Sequence, residues 1–138
     1  MSDFIDSNVL IYSLKLDDPR RTIALQTLER RPTTSVQALN EFASVARRKL
    51  RMAPEEVRDA SAALQEWLAE IHPLLVVDHN RAHEIVARYR LQWWDALIVA
   101  TALRTGADRL ITEDLQHGQL IDGRLTIENP FLEGSEAR

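Results

Sequence analysis

Residues 93–102, WWDALIVATA, contain one charged side chain, that of Asp95, among tryptophans, alanines and aliphatic residues. On a helical wheel the run is apolar on every side, which is typical of a helix surrounded by protein rather than one lying on a surface. Other layers of structure must therefore cover this helix. An ionised carboxylate beside a buried element is costly unless a partner compensates it, so Asp95 also needs a compensating group elsewhere in the chain.

Short apolar runs alternate with helical patterns on both sides of this stretch. Strands are predicted at 3–6 (DFID), 33–36 (TTSV), 73–78 (PLLVVD), 109–112 (RLIT) and 125–129 (LTIEN). The first predicted helix begins in SNVLIYSLK (7–15), with Ser7 or Asn8 as its cap. Further helices are predicted over about 17–31, along the stripe Leu39, Phe42, Ala43, Ala46 and Leu50, from Pro54 to about 71–72, over about 80–90, and from 93 to a stop at Gly106. PLLVVD is continuously apolar, as expected of a strand buried on both faces. This alternation favours the α/β class, with a parallel β-sheet flanked by helices in an α/β/α sandwich.

Composition indicates one globular domain spanning residues 1–138. Apolar residues make up 45% and charged residues 28%, and no apolar run approaches the roughly 20 residues of a membrane span. The acidic start MSDFIDSN lacks the basic region of a secretory signal, and cysteine is absent. These features predict a cytoplasmic protein without a membrane segment, disulfides or thiolate metal sites.

The net charge of −4 does not indicate that the surface as a whole binds nucleic acid. The basic residues are 15 arginines and two lysines, and the planar guanidinium suits phosphate recognition. Composition drift in an arginine-rich proteome explains the same bias equally well.

Acidic residues follow the predicted strands at their carboxyl ends, where ligands bind in open α/β sheets. Asp6 closes the first strand, Thr112, Glu113 and Asp114 close RLIT, and Asp95 begins its helix. Two like charges about 4 Å apart repel by roughly 4 kcal/mol at an effective dielectric near 20, so a shared rim needs a cation. Oxygen ligands without Cys or His indicate Mg²⁺, or else Mn²⁺.

Simpler interpretations exist for each of these residues. Helix capping or turn formation accounts for Asp6 and Asp95 on spacing alone. Glu41 lies away from the apolar stripe of its helix and beside Arg48, the position of an exposed residue. His79 and His83 have the i, i+4 spacing of a metal pair, but without an HExxH pattern a solvated helix face is favoured.

Four segments taken together resemble PIN-domain proteins, in particular the VapC-type toxins of bacterial toxin–antitoxin pairs. They are FIDSNVLIY at 4–12, SVQALNEFASVARRK at 35–49, WWDALIVATALRTGA at 93–107 and LITEDLQHGQLIDGRLTIENPF at 110–131. The resemblance runs through essentially the whole chain in the right order. It implies a metal-dependent endoribonuclease whose acidic site lies at one rim of a parallel sheet.

The resemblance also implies roles for individual residues. Matched motif by motif, Asp6, Glu41, Asp95 and Asp114 are the four acids, and Thr112 is the accompanying hydroxyl. Asp6, Asp95 and Asp114 are expected to hold Mg²⁺ or Mn²⁺, as one ion or two, and Glu41 to orient or deprotonate the attacking water. The products expected for the family carry a 5′-phosphate and a 3′-hydroxyl. Glu113 departs from the pattern, because an adjacent acid competes with Asp114 for the last position.

RNA needs basic contacts away from so acidic a site. Arg47, Arg48, Lys49 and Arg51 end the third helix and are candidates, with Arg48 on the face of Glu41. The alternative is that they complement the helix C-terminus. Trp93 and Trp94 are interpreted as packing residues rather than base-stacking ones.

Two competing functions remain open. One is phosphotransfer by a haloacid-dehalogenase-like phosphatase or a receiver domain, although Asp6 is followed by SNVL and not by the D-x-D-x-T pattern. The other is a binding module with an inactive nuclease site. The presence of acids at all four positions counts against this alternative. The partners implied by the resemblance are RNA, a small cognate antitoxin and a second copy of the chain in a homodimer.

Overall fold

The computed structural model describes residues 2–132, which fold into a mostly parallel sheet with helices on both faces. Residues 1 and 133–138 lie outside the described part, so the predicted 1–138 domain is not described at its two ends. The strands are β1 (Asp3–Ile5), β2 (Thr34–Ser35), β3 (Ile71–His72), β4 (Arg109–Ile111), β5 (Leu120–Ile121) and β6 (Leu125–Glu128). The helices are α1 (Ser7–Tyr12), α2 (Arg20–Glu29), α3 (Val36–Arg48), α4 (Pro54–Trp67), α5 (Val76–Tyr89) and α6 (Trp93–Arg104).

The main sheet has the strand order β1-β4-β6-β5. Strands β1, β4 and β6 are parallel, and β5 pairs antiparallel with β6 at the edge. Strands β2 and β3 form a second parallel pair, which a bridge between Phe4 and Thr33 joins to β1. The predicted α/β architecture with helices on both faces of a parallel sheet is therefore confirmed.

Alternation along the strands divides the core into two layers. Phe4 and Leu110 are fully buried on the face that packs against α5 and α6. Ile5 and Ile111 are equally buried on the opposite face, under α1, α2, α3 and α4. Because the side chains of a strand alternate between faces, two neighbouring residues on each central strand contribute one side chain to each layer. The WWDALIVATA stretch forms α6 and contributes a run of buried residues to the first layer, as predicted.

The predicted strand at 73–78 is wrong. Val76, Val77 and Asp78 form the first turn of α5, and the side chains of Val76 and Val77 are 77% and 56% exposed. Asp78 explains the difference, since its Oδ2 accepts from the backbone N–H of Leu75 at 2.9 Å and closes the helix start. The strand in this region is instead β3, directly before PLLVVD.

Several boundaries also differ from the prediction. α4 ends at Trp67 rather than near 71–72, because those two residues are β3, and α2 begins at Arg20, immediately after Pro19. The edge strand β5 was not predicted. In residues 2–132, no helix combines the length and the apolar character needed to cross a membrane.

Candidate active site

Asp6 lies immediately beyond β1 and is 7% exposed. Its backbone N–H continues the sheet by donating to the carbonyl of Ile111 at 3.0 Å. Its two carboxylate oxygens have separate partners: Oδ1 accepts from the N–H of Ser7 at 2.7 Å, and Oδ2 accepts from the hydroxyl of Thr112 at 2.9 Å. The capping interpretation of Asp6 is therefore correct, and the cap also places its carboxylate at the rim of the sheet.

Thr112, Asn8 and Asp114 form a connected polar group beside Asp6. Thr112 is fully buried, and its Oγ1 accepts from the N–H of Asp114 at 3.1 Å. The amide of Asn8 lies 3.3 Å from Thr112 Oγ1 and 3.3 Å from Asp114 Oδ2, donating to both. These contacts fix the turn after β4 so that Asp114 lies on the side of Asp6.

Asn8 is a residue that the sequence prediction missed, apart from its naming as a possible cap. It is 9% exposed, and its Oδ1 is the single buried side-chain polar atom without a hydrogen-bond partner in residues 2–132. A buried acceptor of this kind is costly unless a ligand or an ordered water uses it. The available signal was the position of Asn8, two residues after an acid at a strand end.

Glu41 reaches the same rim from α3. Its Oε2 accepts from Ser7 Oγ at 3.3 Å, and its Oε1 accepts from Gln37 Nε2 at 3.4 Å. Glu41 is exposed, as its position on the wheel indicates, but the exposed side of α3 faces the beginning of α1. The resemblance therefore selected a residue that the helical pattern alone did not.

Asp95 is the third residue of α6 and completes the cluster. One cleft is lined by all four acids together with Ser35, Gln37, Ala38, Leu74, Trp94, Leu97 and Ile98. No lysine or arginine lines this cleft within the described residues. Unlike Asp6, Asp95 accepts no side-chain hydrogen bond in that part of the chain, so its carboxylate relies on solvent and the helix N-terminus.

The carboxylates disturb one another's ionisation. Burial raises the pKa of Asp6 to about 6, against the lowering effect of its bonds from Thr112 and Ser7, and the charges of Asp114 and Glu41 raise it further. Partial burial, followed by the charges of Asp114 and Glu41, also raises the pKa of Asp95. The ionised forms of Asp6 and Asp95 are therefore disfavoured in this cleft, and a bound cation would stabilise them.

Glu113 points away from the cleft. Its Oε1 accepts from the hydroxyl of Tyr12 at 2.6 Å, and its Oε2 lies 3.7 Å from the guanidinium of Arg20. Arg20 also donates to the Tyr12 hydroxyl at 2.7 Å and pairs with Asp18. The two neighbouring acids after β4 thus have separate surroundings, and Asp114 is the one beside Asp6.

The donor set suits a hard divalent ion, because the cleft is lined by carboxylates, and Asn8, whose Oδ1 has no partner, contacts Asp114 through its amide nitrogen. Within residues 2–132, no three His, Asp or Glu side chains form a ready-made metal site. An ion shared by Asp6, Asp95 and Asp114 therefore requires these side chains to move closer together.

Arg47, Arg48 and Trp93 lie outside the acidic cleft, whereas Trp94 lines it. Arg47 donates to the carbonyl of Met52 at 2.7 Å, and Arg48 donates to Ser44 Oγ at 3.2 Å on the exposed side of α3. Trp93 packs against histidine rings, in agreement with its predicted role. Trp94 differs from the prediction, because it is 63% exposed and lines the acidic cleft.

Solved structures of toxin–antitoxin proteins share this architecture. A toxin–antitoxin complex from Klebsiella pneumoniae is 23% identical, with 94% of this chain and 98% of that chain covered and a TM-score of 0.71. VapC20 of Mycobacterium tuberculosis, described as a toxin that cleaves the sarcin–ricin loop, is 19% identical over 79% of this chain and 87% of that chain, with a TM-score of 0.65. VapBC2 of Rickettsia felis, bound to a DNA fragment from its promoter, is 18% identical over 94% and 100%, with a TM-score of 0.65.

At these identities the structures establish the shared fold. Among curated proteins, none matches the sequence significantly. The model of the PIN domain, by contrast, matches residues 4–120, which include β1 apart from Asp3, the whole of α1 to α6, β4 and all four acids of the cleft. The chain therefore belongs to the PIN domain family.

Proposed function

We propose that this protein is an endoribonuclease that depends on Mg²⁺ or Mn²⁺ and acts as the toxin of a toxin–antitoxin pair. The observation that carries the proposal is the convergence of Asp6, Glu41, Asp95 and Asp114 on one cleft that no lysine or arginine of residues 2–132 lines. PIN domains generally use divalent metal ions. The phosphotransfer alternative loses its basis, because the family match covers the segments that carry the acids.

Each residue of the cleft has a distinct part in the proposed reaction. Asp6, Asp95 and Asp114 would hold the ion, and Glu41 would orient or deprotonate the water that attacks the phosphodiester. Thr112 keeps the Asp6 carboxylate in one orientation through the bond at 2.9 Å. When bound, the metal supplies Lewis-acid stabilisation of the phosphoryl charge and makes a nucleophile available near neutral pH.

Metal dependence is the first test of this function. Protein purified without any antitoxin and treated with a chelator should not cleave RNA, and Mg²⁺ or Mn²⁺ should restore cleavage. The same ions should raise the melting temperature, because binding to the folded state alone stabilises it. Cleavage that continues unchanged in the chelator, measured on a gel with labelled RNA, would exclude the proposed chemistry.

RNA binding is proposed to use groups at the edge of the cleft. The exposed ring of Trp94 lies where an unpaired base can stack next to the scissile phosphate. Arg48 follows Glu41 by seven residues, about 10 Å along α3 and on the same face, at a distance suited to a neighbouring phosphate. Arg47 is the weaker candidate, since its guanidinium already binds the Met52 carbonyl.

Trp94→Ala should weaken RNA binding while leaving metal binding intact. Stacking on an aromatic side chain contributes about 1–3 kcal/mol per base, so we expect KM for a short RNA to rise by about 5- to 150-fold. Trp94→Phe should recover much of the loss. Trp67→Ala is the matched control, because Trp67 is 48% exposed and does not line the cleft. Equal effects of the two alanine variants would exclude stacking at Trp94.

The antitoxin partner is proposed from the complexes with similar folds and from the charge of the cleft. A cationic side chain inserted beside Asp6 and Asp95 would neutralise the carboxylates and block the metal position. The exposed apolar residues Leu75, Val76 and Val77 lie close in sequence to Leu74, which lines the cleft, and offer a surface for such a segment. A homodimer and a cytoplasmic location complete the proposal, and a short antitoxin-like reading frame beside the gene would separate a toxin from a housekeeping nuclease.

A further inference from the structure

A pair of histidines on α5 lies apart from the acidic cleft. The spacing of His79 and His83 predicts a solvated helix face, and both side chains are exposed. Their rings nevertheless meet, with the two Nε2 atoms 3.3 Å apart and the ring centroids 5.0 Å apart. Solvation alone does not favour a close contact between the Nε2 atoms of two imidazoles one helical turn apart.

Trp93 holds the two rings in this arrangement. Its ring centroid is 4.9 Å from that of His79 and 4.8 Å from that of His83, so one indole supports both imidazoles. Trp93 is the first residue of α6, and α6 packs closely along α5. The rotamers of the histidines are therefore restricted by a contact between two helices. The folded protein has already lost part of the side-chain entropy that bringing the two rings together requires.

The separation of the nitrogens fits a chelate. Two imidazole nitrogens bound to Zn²⁺ at about 2.0–2.1 Å with a tetrahedral angle of about 109° lie about 3.3–3.4 Å apart. Imidazole is a ligand that suits Zn²⁺, Ni²⁺ and Cu²⁺, whereas Mg²⁺ prefers oxygen. We infer that His79 and His83 form a second metal site, which takes a transition-metal ion through both Nε2 atoms with water in the remaining positions.

Metal binding would require a change of tautomer in one ring of the pair. When both rings are neutral, the contact between the Nε2 atoms requires one ring to carry its proton on Nε2 and donate to the other. Coordination by both Nε2 atoms needs that ring to move its proton to Nδ1, which is a change of tautomer without a change of charge. No third His, Asp or Glu joins the pair in residues 2–132, so the affinity rests on two side chains.

The test is a titration of the full chain with Ni²⁺ or Zn²⁺ in excess Mg²⁺, which occupies oxygen sites such as the acidic cleft. Calorimetry should show one ion bound per chain, and Ni²⁺ or Cu²⁺ should quench the fluorescence of the adjoining Trp93. His79→Gln and His83→Gln should each weaken binding by at least about tenfold, because one of two ligands is lost. His72→Gln is the matched control, since His72 lies on β3 beside Glu70 and should leave the affinity unchanged.

A second measurement needs no substitution. Nitrogen–proton correlation spectra of the wild-type histidines should shift the Nε2 signals of two rings on addition of Zn²⁺ and leave both at the Nδ1–H tautomer. The absence of binding, binding equally strong in His79→Gln, or shifts confined to another histidine would each overturn the inference. None of these readouts involves RNA cleavage, so the result is independent of the proposed nuclease function.

Discussion

Asp95→Asn should strongly reduce the rate of RNA cleavage and at the same time make the metal-free protein more stable. The substitution removes one of the three proposed metal ligands, so we expect the rate to fall on the order of 10²–10³-fold, as for loss of a group that stabilises transition-state charge. The carboxylate accepts no side-chain hydrogen bond in residues 2–132. Its removal therefore costs the fold little.

The stability gain follows from the direction of the pKa shift. Burial and the charges of Asp114 and Glu41 raise the pKa of Asp95 above its ordinary value. A carboxyl group with a raised folded-state pKa stabilises the fold fully below the unfolded-state pKa, and this contribution is lost as pH rises through the folded-state pKa. The Asn variant should thus melt higher than wild type in a chelator at neutral pH, and the difference should shrink near about pH 4.

Calorimetric melts with and without Mg²⁺ measure this effect. Mg²⁺ should stabilise wild type more than Asp95→Asn, because the ion relieves repulsion that the variant lacks. Asp59→Asn is the matched control: Asp59 is exposed on α4 and pairs with Arg58 at the surface, away from the cleft. Wild-type cleavage by Asp95→Asn, or a lower melting temperature than wild type in the chelator, would contradict the assignment.

Substitutions of the two neighbouring acids after β4 should have different effects, one mainly on RNA cleavage and the other mainly on stability. Asp114→Asn is expected to reduce cleavage by about a hundredfold or more, because it would remove one of the proposed metal ligands. Glu113→Gln should retain most of the activity but lose about 1 kcal/mol of stability, because it weakens a charged hydrogen bond to the Tyr12 hydroxyl. RNA cleavage rates and urea unfolding of the two variants are the measurements.

Tyr12→Phe serves as the control for this pair. It removes the same hydrogen bond from the other side, so its effect on stability should not add to that of Glu113→Gln in the double variant. Inactivity of Glu113→Gln together with activity of Asp114→Asn would reverse the assignment of the last acid.

The local pattern of apolar residues predicted a parallel sheet covered by helices, but it did not predict every strand correctly. PLLVVD has the composition of a buried strand, yet Asp78 binds the N–H of Leu75 and pairs with Arg104 at 2.7 Å. Arg104 is at the end of α6, so this contact depends on the packing of two helices. A one-dimensional pattern contains no information about such a partner, and the apolar run was consequently assigned to the sheet.

The acids of the candidate site were predictable to different degrees. Asp6 and Asp114 follow strands, and the rule for parallel sheets places them at one edge. Glu41 was predictable only from the family resemblance, because a helical wheel describes α3 alone and not the contact with Ser7 of α1. Asn8 escaped prediction since its importance lies in contacts with Thr112 and Asp114, about a hundred residues away in sequence.

The hydrogen bonds of Asp6 have a consequence for metal selectivity. Both oxygens of this carboxylate are attached to rigid parts of the fold, one to the start of α1 and the other to Thr112 at the end of β4. Asp95 and Asp114 are more exposed and have fewer contacts. In the proposed metal site, Asp6 would therefore be the stationary ligand, and Asp95 and Asp114 would adjust to ions of different radius. If the proposed nuclease binds its ion in this way, we expect it to accept both Mg²⁺ and Mn²⁺, because the sheet would set the position of the ion while its coordination distances stayed adaptable.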